Sequence, residues 1–138
     1  MAYAALVVRA DNEGIKSFAD LKGKKSVHSA TSNWADMARS YGAEIVTADG
    51  FSKGVELIIA RRADATINDN ITFFDYMKQR PNAPLKIAAQ GNDPIYSAVL
   101  LKKDDELTAQ INSALKSLKQ KGVLKEISLK YFGKDITE

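Results

Sequence analysis

Two spacings of apolar residues alternate along most of the chain. Short apolar runs predict strands over residues 3–9, 25–29, 45–47, 65–67 and 85–89. Between these runs apolar residues recur at every third or fourth position, as at Trp34, Met37, Ala38 and Tyr41, which is the spacing of one helical face. Strands that alternate with helices favour right-handed crossovers and a largely parallel sheet. The pattern therefore predicts an α/β fold.

Local signals indicate where the helices begin and end. Ser17, followed by Asp20, forms a weak capping box for a short helix over 18–21 that Gly23 ends. The next helix begins at the turn 32–33. Apolar positions at 51, 55, 58 and 59 mark a further helix, with Ser52 near its start. A helix with apolar positions at 71, 74 and 77 ends before Pro81.

The character of the chain changes after residues 90–94. An extended segment is predicted over 95–101, followed by a long amphipathic helix over 105–120. Gly122 ends that helix, and a last helix over 123–131 has Leu124, Ile127 and Tyr131 on one side. This tail has no sheet of its own to cover.

Composition narrows the range of functions. The 138 residues, 45% of them hydrophobic, are enough for one globular domain, or one and a fraction. The net charge of +3 comes from scattered basic residues, which argues weakly against nucleic acid as a partner. The chain has no cysteine, which excludes disulfides. No apolar run approaches the ~20 residues that cross a bilayer, and no signal peptide is recognised before the first strand, so the chain is expected to begin inside a longer gene.

Two features at predicted strand ends indicate a ligand site. The turn Thr31, Ser32 and Asn33 joins a strand to a helix, so its backbone N–H groups and the helix dipole suit a carboxylate. Asp69 ends another strand and suits an ammonium group. Ligands of parallel α/β sheets bind beyond the carboxyl ends of strands. Together these features predict part of a receptor for an α-amino acid.

Each of these residues also has a plain structural interpretation. The turn could be only a helix N-cap, and Asp69 could be only a capping acid. Trp34 could form the floor of the pocket or belong to the core. Asn68 and Asn70 could orient the loop around Asp69. His28, the only histidine, is interpreted as a strand residue with a satisfied ring, so no metal site, cofactor or catalytic set is predicted.

Several stretches of the chain resemble one protein family. Residues 14–25 (GIKSFADLKGKK), 31–33 (TSN), 62–69 (RADATIND) and 121–133, from Lys-Gly to Tyr-Phe-Gly, look like the polar amino-acid-binding proteins of bacterial ABC importers. The resemblance covers nearly the whole chain in the family's order. Residues 29–34 (SATSNW) are most similar to the cystine and cysteine receptors.

The resemblance implies an architecture and a location. Members of this family have two α/β lobes of the periplasmic-binding-protein type, each a three-layer sandwich, which are joined by hinge strands and close on the ligand. By this plan residues 3–90 form lobe two, 91–95 a hinge, and 96–138 a C-terminal segment that returns to lobe one, whose N-terminal part is expected to lie outside this chain. The parent protein is expected to be extracytoplasmic, in the periplasm or lipid-anchored at the outer face of the membrane.

The resemblance also implies roles for particular residues. Thr31, Ser32 and Asn33 would bind the α-carboxylate, Asp69 the α-ammonium, and Trp34 would line the pocket. The partners would be a small amino acid and the ABC permease subunits. The apolar faces of the two tail helices further predict self-association, by exchange of the tail between chains, or a tail that repacks on its own lobe.

Two other classes of function have less support in the sequence. An enzyme on the same scaffold, similar to certain cyclic-acid dehydratases or lytic transglycosylases, would need an acid or base over the reacting carbon. Glu44, Glu56 and Asp64 lie away from the predicted strand ends, so none of them stands out. A domain like a response regulator would need clustered acids at strand ends, and only Asp69 fits.

Overall fold

The computed structural model describes residues 1–137, so Glu138, the last residue of the predicted tail, lies outside the described part of the chain. Five strands and five α-helices follow one another in the predicted order. The strands are β1 Ala2–Arg9, β2 Lys25–His28, β3 Glu44–Thr47, β4 Ala65–Asp69 and β5 Leu85–Ile95. The α-helices are α1 Asn33–Ser40, α2 Gly50–Ile59, α3 Asn70–Gln79, α4 Asp105–Gln120 and α5 Val123–Phe132, with a 3-10 helix at Phe18–Leu21.

The five strands form one sheet in the order β3-β2-β4-β1-β5. Strand β2 pairs in parallel with β3 and with β4, as the alternation of strands and helices predicts. Strand β1 pairs antiparallel with both β4 and β5. Four strands therefore point in one direction and β1 in the other, and the predicted mainly parallel α/β fold is confirmed.

Helices cover both faces of this sheet. Successive side chains of β1 contribute to opposite layers. Leu6 and Val8 pack with the 3-10 helix and α1, while Val7 packs with α2 and α3. This division follows from the two-residue period of a strand, which points successive side chains to opposite faces. The result is the three-layer sandwich that the family resemblance implies.

Strand β5 is longer than predicted. The expected strand over 85–89 continues through the Gly91 to Pro94 segment to Ile95, which lies opposite Ala2. Turn-forming residues suggested an end to the strand, but β1 supplies pairing partners there, with shifts of register along the way. A β-carbon at Gly91 would lie 3.3 Å from that of Ala4, so the absent side chain permits this close approach.

The tail packs back onto the preceding part of the chain through contacts between α5 and α3. The Lys78 ammonium donates to the Leu129 carbonyl at 3.5 Å, and the Lys134 ammonium lies 4.4 Å from the centre of the Phe74 ring. Helix α4 buries none of its residues. Within residues 1–137 no helix combines the length and apolar character needed to span a membrane.

Truncating a core side chain of β1 tests the layer arrangement. Leu6 is fully buried (0% exposed) and Leu100 is 96% exposed. We expect Leu6→Ala to lower the free energy of unfolding by about 2–5 kcal/mol, because it leaves a cavity between the sheet and α1. Leu100→Ala is the matched control and should change it by less than about 0.5 kcal/mol. Urea unfolding of both variants measures the difference, and equal effects would contradict the assigned core.

Candidate ligand-binding site

The carboxyl ends of β2, β3 and β4 lie at one edge of the sheet, which we call the rim. Ser26 of β2 lies opposite Ala65 of β4. Carried to His28, the last residue of β2, this register brings it level with Ile67, and just beyond these strand ends Ser32 and Asn68 line the same small pocket. Adjacent strands lie about 4.8 Å apart. The two predicted halves of the site, the turn 31–33 and Asp69, are therefore neighbours at the rim.

The turn 31–33 forms the start of α1. The Ser32 hydroxyl oxygen accepts a hydrogen bond from the Trp34 backbone N–H at 3.1 Å, which makes Ser32 the N-cap. Thr31 and Asn33 are exposed, and in the part of the chain that the structure describes their side chains have no hydrogen-bond partner. A helix start with free polar groups and a positive dipole end can accept an anion.

Asp69 is the N-cap of α3. One carboxylate oxygen accepts from the Thr72 backbone N–H at 2.7 Å, and the other accepts from the Thr72 hydroxyl at 3.1 Å. These bonds hold the carboxylate in a single orientation. A carboxylate has about four acceptor positions, so both oxygens keep capacity for a cationic group. Capping and ligand binding are thus compatible at this residue.

The two asparagines beside Asp69 orient its loop, as one sequence interpretation held. The Asn68 side-chain oxygen accepts from the Asp69 backbone N–H at 2.8 Å. The buried Asn70 accepts from the Tyr3 backbone N–H at 3.0 Å, and this bond ties the start of β1 to the start of α3.

Trp34 packs against the core layer on the α1 face. It is half-buried and lies with Met37 against the cluster that includes Ala38 and Ile67. Its predicted part in the pocket stays a prediction, because the contacts of the ring in this structure are those of a core residue.

Sequence reasoning did not single out Ser29. Its hydroxyl oxygen accepts from the Gly50 backbone N–H at 3.3 Å, which links the end of β2 to the start of α2. Residues 29 and 50 are far apart in sequence, so no local pattern of residues predicts this contact.

His28 has the structural role that was predicted for it. The side chain is buried, and its Nε2 atom lies 2.7 Å from the Ser26 hydroxyl. Burial, with a smaller effect of the nearby Arg39 charge, lowers the pKa of His28 from 6.5 to about 4, so the ring is neutral at pH 7. Among residues 1–137 there is no group of three or more histidine, cysteine or acidic residues that could hold a metal.

Comparison with known proteins supports an assignment at the level of family. Residues 1–134 match the sequence profile of the bacterial extracellular solute-binding proteins, family 3. The chain belongs to this family.

Relatives of this chain are named as binding proteins for amino acids. The chain is 46% identical over 134 residues to a probable amino-acid ABC transporter-binding protein of Haemophilus influenzae, covering 96% of this chain and 52% of that protein. It is 37% identical over 136 residues to the L-cystine-binding protein TcyA of Bacillus subtilis, covering 98% and 51%. The chain spans about half the length of the curated relatives it matches.

A solved structure supports the same family assignment. The L-cystine solute receptor of Neisseria gonorrhoeae, in its unliganded open conformation, matches with a TM-score of 0.77 and 38% identity. The match covers 99% of this chain and 59% of the receptor. The relatives named here are binding proteins, and none of them is described as an enzyme.

The neutral His28 predicts how stability depends on pH. The folded-state pKa lies below the ordinary value, so the unfolded chain takes up the proton first as the pH falls. This contribution to the free energy of unfolding is fully present above pH 6.5 and is lost between about 6.5 and 4. We expect His28→Gln to flatten the pH dependence in that window, measured by urea unfolding at a series of pH values. Equal slopes for the two proteins there would contradict the assignment.

Proposed function

We propose that this chain supplies one side of the binding site for a polar α-amino acid in a bacterial ABC importer. The observation that carries this proposal is the proximity of two opposite electrostatic environments at the rim. The start of α1, at Thr31, Ser32 and Asn33, offers hydrogen-bond donors to a carboxylate. The fixed Asp69 carboxylate offers acceptors to an ammonium group. An α-amino acid carries both groups about two bonds apart.

The physical chemistry of both contacts favours the zwitterion. A carboxylate at a helix N-terminus interacts favourably with the helix dipole. An ammonium at Asp69 forms a charge-assisted hydrogen bond, worth roughly 1.5–3 kcal/mol where water is excluded. The two partners lie at helix starts that follow neighbouring strands of the sheet, so little conformational entropy is lost on binding.

Cystine or cysteine is the substrate that we propose. The support is that relatives from Bacillus subtilis and Neisseria gonorrhoeae are named for L-cystine. Trp34, at the start of α1, would then border the ligand side chain.

The two-lobe plan is also part of the proposal. Residues 3–90 would form lobe two, 91–95 a hinge, and 96–138 the segment that belongs to lobe one. Strands β1 and β5 support this plan because their pairing continues past the rim, with Ala2 opposite Ile95, so they lead from the sheet into the tail. The whole protein would act outside the cytoplasm, free in the periplasm or lipid-anchored, and would deliver its ligand to permease subunits.

Removing the charge of Asp69 tests the proposed site. Asparagine caps helices as well as aspartate does, so Asp69→Asn should leave α3 and the stability unchanged. We expect binding of L-cystine or L-cysteine, measured by calorimetric titration, to weaken about 10- to 150-fold because the ion pair with the ammonium is lost. A panel of other polar amino acids establishes the selectivity.

Asp104 provides the matched control for this experiment. It also caps a helix, accepting from the Leu107 backbone N–H at 2.9 Å at the start of α4. Asp104→Asn should therefore leave the affinity unchanged. Unaltered binding in Asp69→Asn, or no binding of any amino acid by the wild-type chain, would contradict the proposal for this chain.

The tail supports a second proposal, which is self-association. A groove of about 590 Å³ runs between the segment 97–101 and α4, and apolar side chains line much of it. Leu107, Leu115 and Leu118 of α4 are exposed, and so are Val99 and Leu100 of the preceding segment. Apolar surface of this kind marks an interaction site, and a second copy of the chain is the partner that we propose.

Sedimentation velocity over a range of concentrations tests this association. We expect a concentration-dependent dimer in the wild-type chain and a monomer in Leu115→Glu, because a buried unpaired carboxylate is unfavourable at an apolar interface. Ser113→Glu adds the same charge at an exposed position of α4 that does not line the groove, and it serves as the control. A wild-type chain that stays monomeric at every concentration would contradict self-association.

A further inference from the structure

A small cavity adjoins the proposed amino-acid site, since Ser32 and Asn68 are among the residues that line it. We call it the rim cavity; it measures about 30 Å³ and is lined by Ser29, Ser32, Thr66, Asn68, Gly50 and Gly54 among others. Gly50 and Gly54 lie one turn apart on α2, and their lack of side chains leaves this space between the helix and the sheet. A β-carbon at Gly54 would already lie 3.5 Å from the Val27 side chain, so α2 sits close to the sheet here.

The polar groups around the rim cavity have part of their hydrogen-bonding capacity occupied by the protein. The Thr66 hydroxyl donates to the Val27 carbonyl at 2.6 Å, and it keeps an oxygen lone pair. The Ser29 and Ser32 hydroxyl oxygens and the Asn68 side-chain oxygen each accept a backbone N–H.

These same groups keep their own hydrogen atoms for a further bond. The Ser29 and Ser32 hydroxyls and the Asn68 amide nitrogen are donors, and none of them donates to a protein acceptor among residues 1–137. The cavity is thus surrounded by three donors, and the Thr66 hydroxyl oxygen is available as an acceptor. A water molecule accepts about two hydrogen bonds and donates two, and it needs 2–4 polar partners in a space of at least about 10–15 Å³. The size and the polarity of the rim cavity both meet these requirements.

We propose that the rim cavity binds one water molecule, and that Ser29 and Asn68 are positioning residues that act through it. The water would join the end of β2, which leads into the turn 31–33, to the Asn68 side chain that holds the Asp69 backbone N–H. The effect on amino-acid affinity rests on the proposed function. The water site itself rests only on the geometry of the chain.

A crystal structure that resolves individual waters tests the occupant. We expect one ordered water at 2.7–3.2 Å from the Thr66 hydroxyl oxygen and from Ser29 or Asn68. A crystal soaked in bromide should give no anomalous peak in the cavity. A cavity without ordered density, or a bromide peak in it, would overturn the proposal.

Amide hydrogen exchange of Asp69 tests the coupling without any amino acid. Ser29→Ala removes a donor just after β2, and we expect the Asp69 amide on β4 to exchange about fivefold faster, the change expected for loss of one typical hydrogen bond. Ser29→Thr keeps the hydroxyl, so the Asp69 amide should exchange at the wild-type rate. The exposed control Ser113→Ala should also leave that rate unchanged. If Ser29 has a purely local role, the exchange rate of the Asp69 amide will not change in Ser29→Ala, and that result would overturn the proposed positioning.

The two proposals can fail separately. If the chain binds an amino acid, Ser29→Ala should weaken binding about fivefold and Ser29→Thr should restore it. If no amino acid binds, while the water is present and the Asp69 amide responds to Ser29→Ala, the proposed function fails and the water bridge stands. If the amino acid binds but Asp69 does not respond, the water bridge fails and the proposed function stands.

Discussion

Strand β1 is buried along both edges and on both faces, and the rest of the structure depends on that burial. The residues from Ala5 to Val8 are fully enclosed, between β4 and β5 in the sheet and between the two helical layers above and below it. Because β1 pairs with β4, it places Ala4 opposite Asp69, and Asn70 then binds the backbone of Tyr3. The position of the acidic half of the site is thus set by the central strand of the core.

The residues at the rim serve the fold and the proposed site at once. Ser32 and Asp69 satisfy the backbone N–H groups of the helices that they begin, and this fixes the orientation of their side chains before any ligand arrives. A site built in this way is preorganised, since the helix starts and strand ends are rigid. A capping role and a binding role are hard to distinguish from the sequence, because both favour serine, threonine, asparagine and aspartate.

Only part of the apolar surface of the tail is buried within this chain. Helix α5 packs on α3, where Ser128 is buried and bonded to the backbone of Lys134 and Ile136. Helix α4 has the same amphipathic pattern but buries nothing within this chain. An amphipathic pattern therefore indicates that a face needs a partner, and it does not say which surface provides one.

The sequence alone determined the features that depend on near neighbours. The helices over 105–120 and 18–21, the capping box at Ser17 and Asp20, and the α/β alternation follow from periodicity and from contacts a few residues apart, and all are present in the structure. The motifs over 14–25, 31–33, 62–69 and 121–133 together indicated the family, and the match over residues 1–134 confirms it. The interpretation of His28 as a strand residue with a satisfied ring is also confirmed, because its Nε2 atom lies 2.7 Å from the Ser26 hydroxyl.

Only the tertiary structure decided the features that depend on distant pairing. The direction of β1, the continuation of β5 through residues 91–95, the contact between Ser29 and Gly50, and the packing of α5 on α3 all join segments far apart in the chain. A strand's period of two is the same in either direction, and a glycine and proline segment reads as a turn until a partner strand lies beside it. Such pairings depend on the whole sheet, so no local pattern of residues carries them.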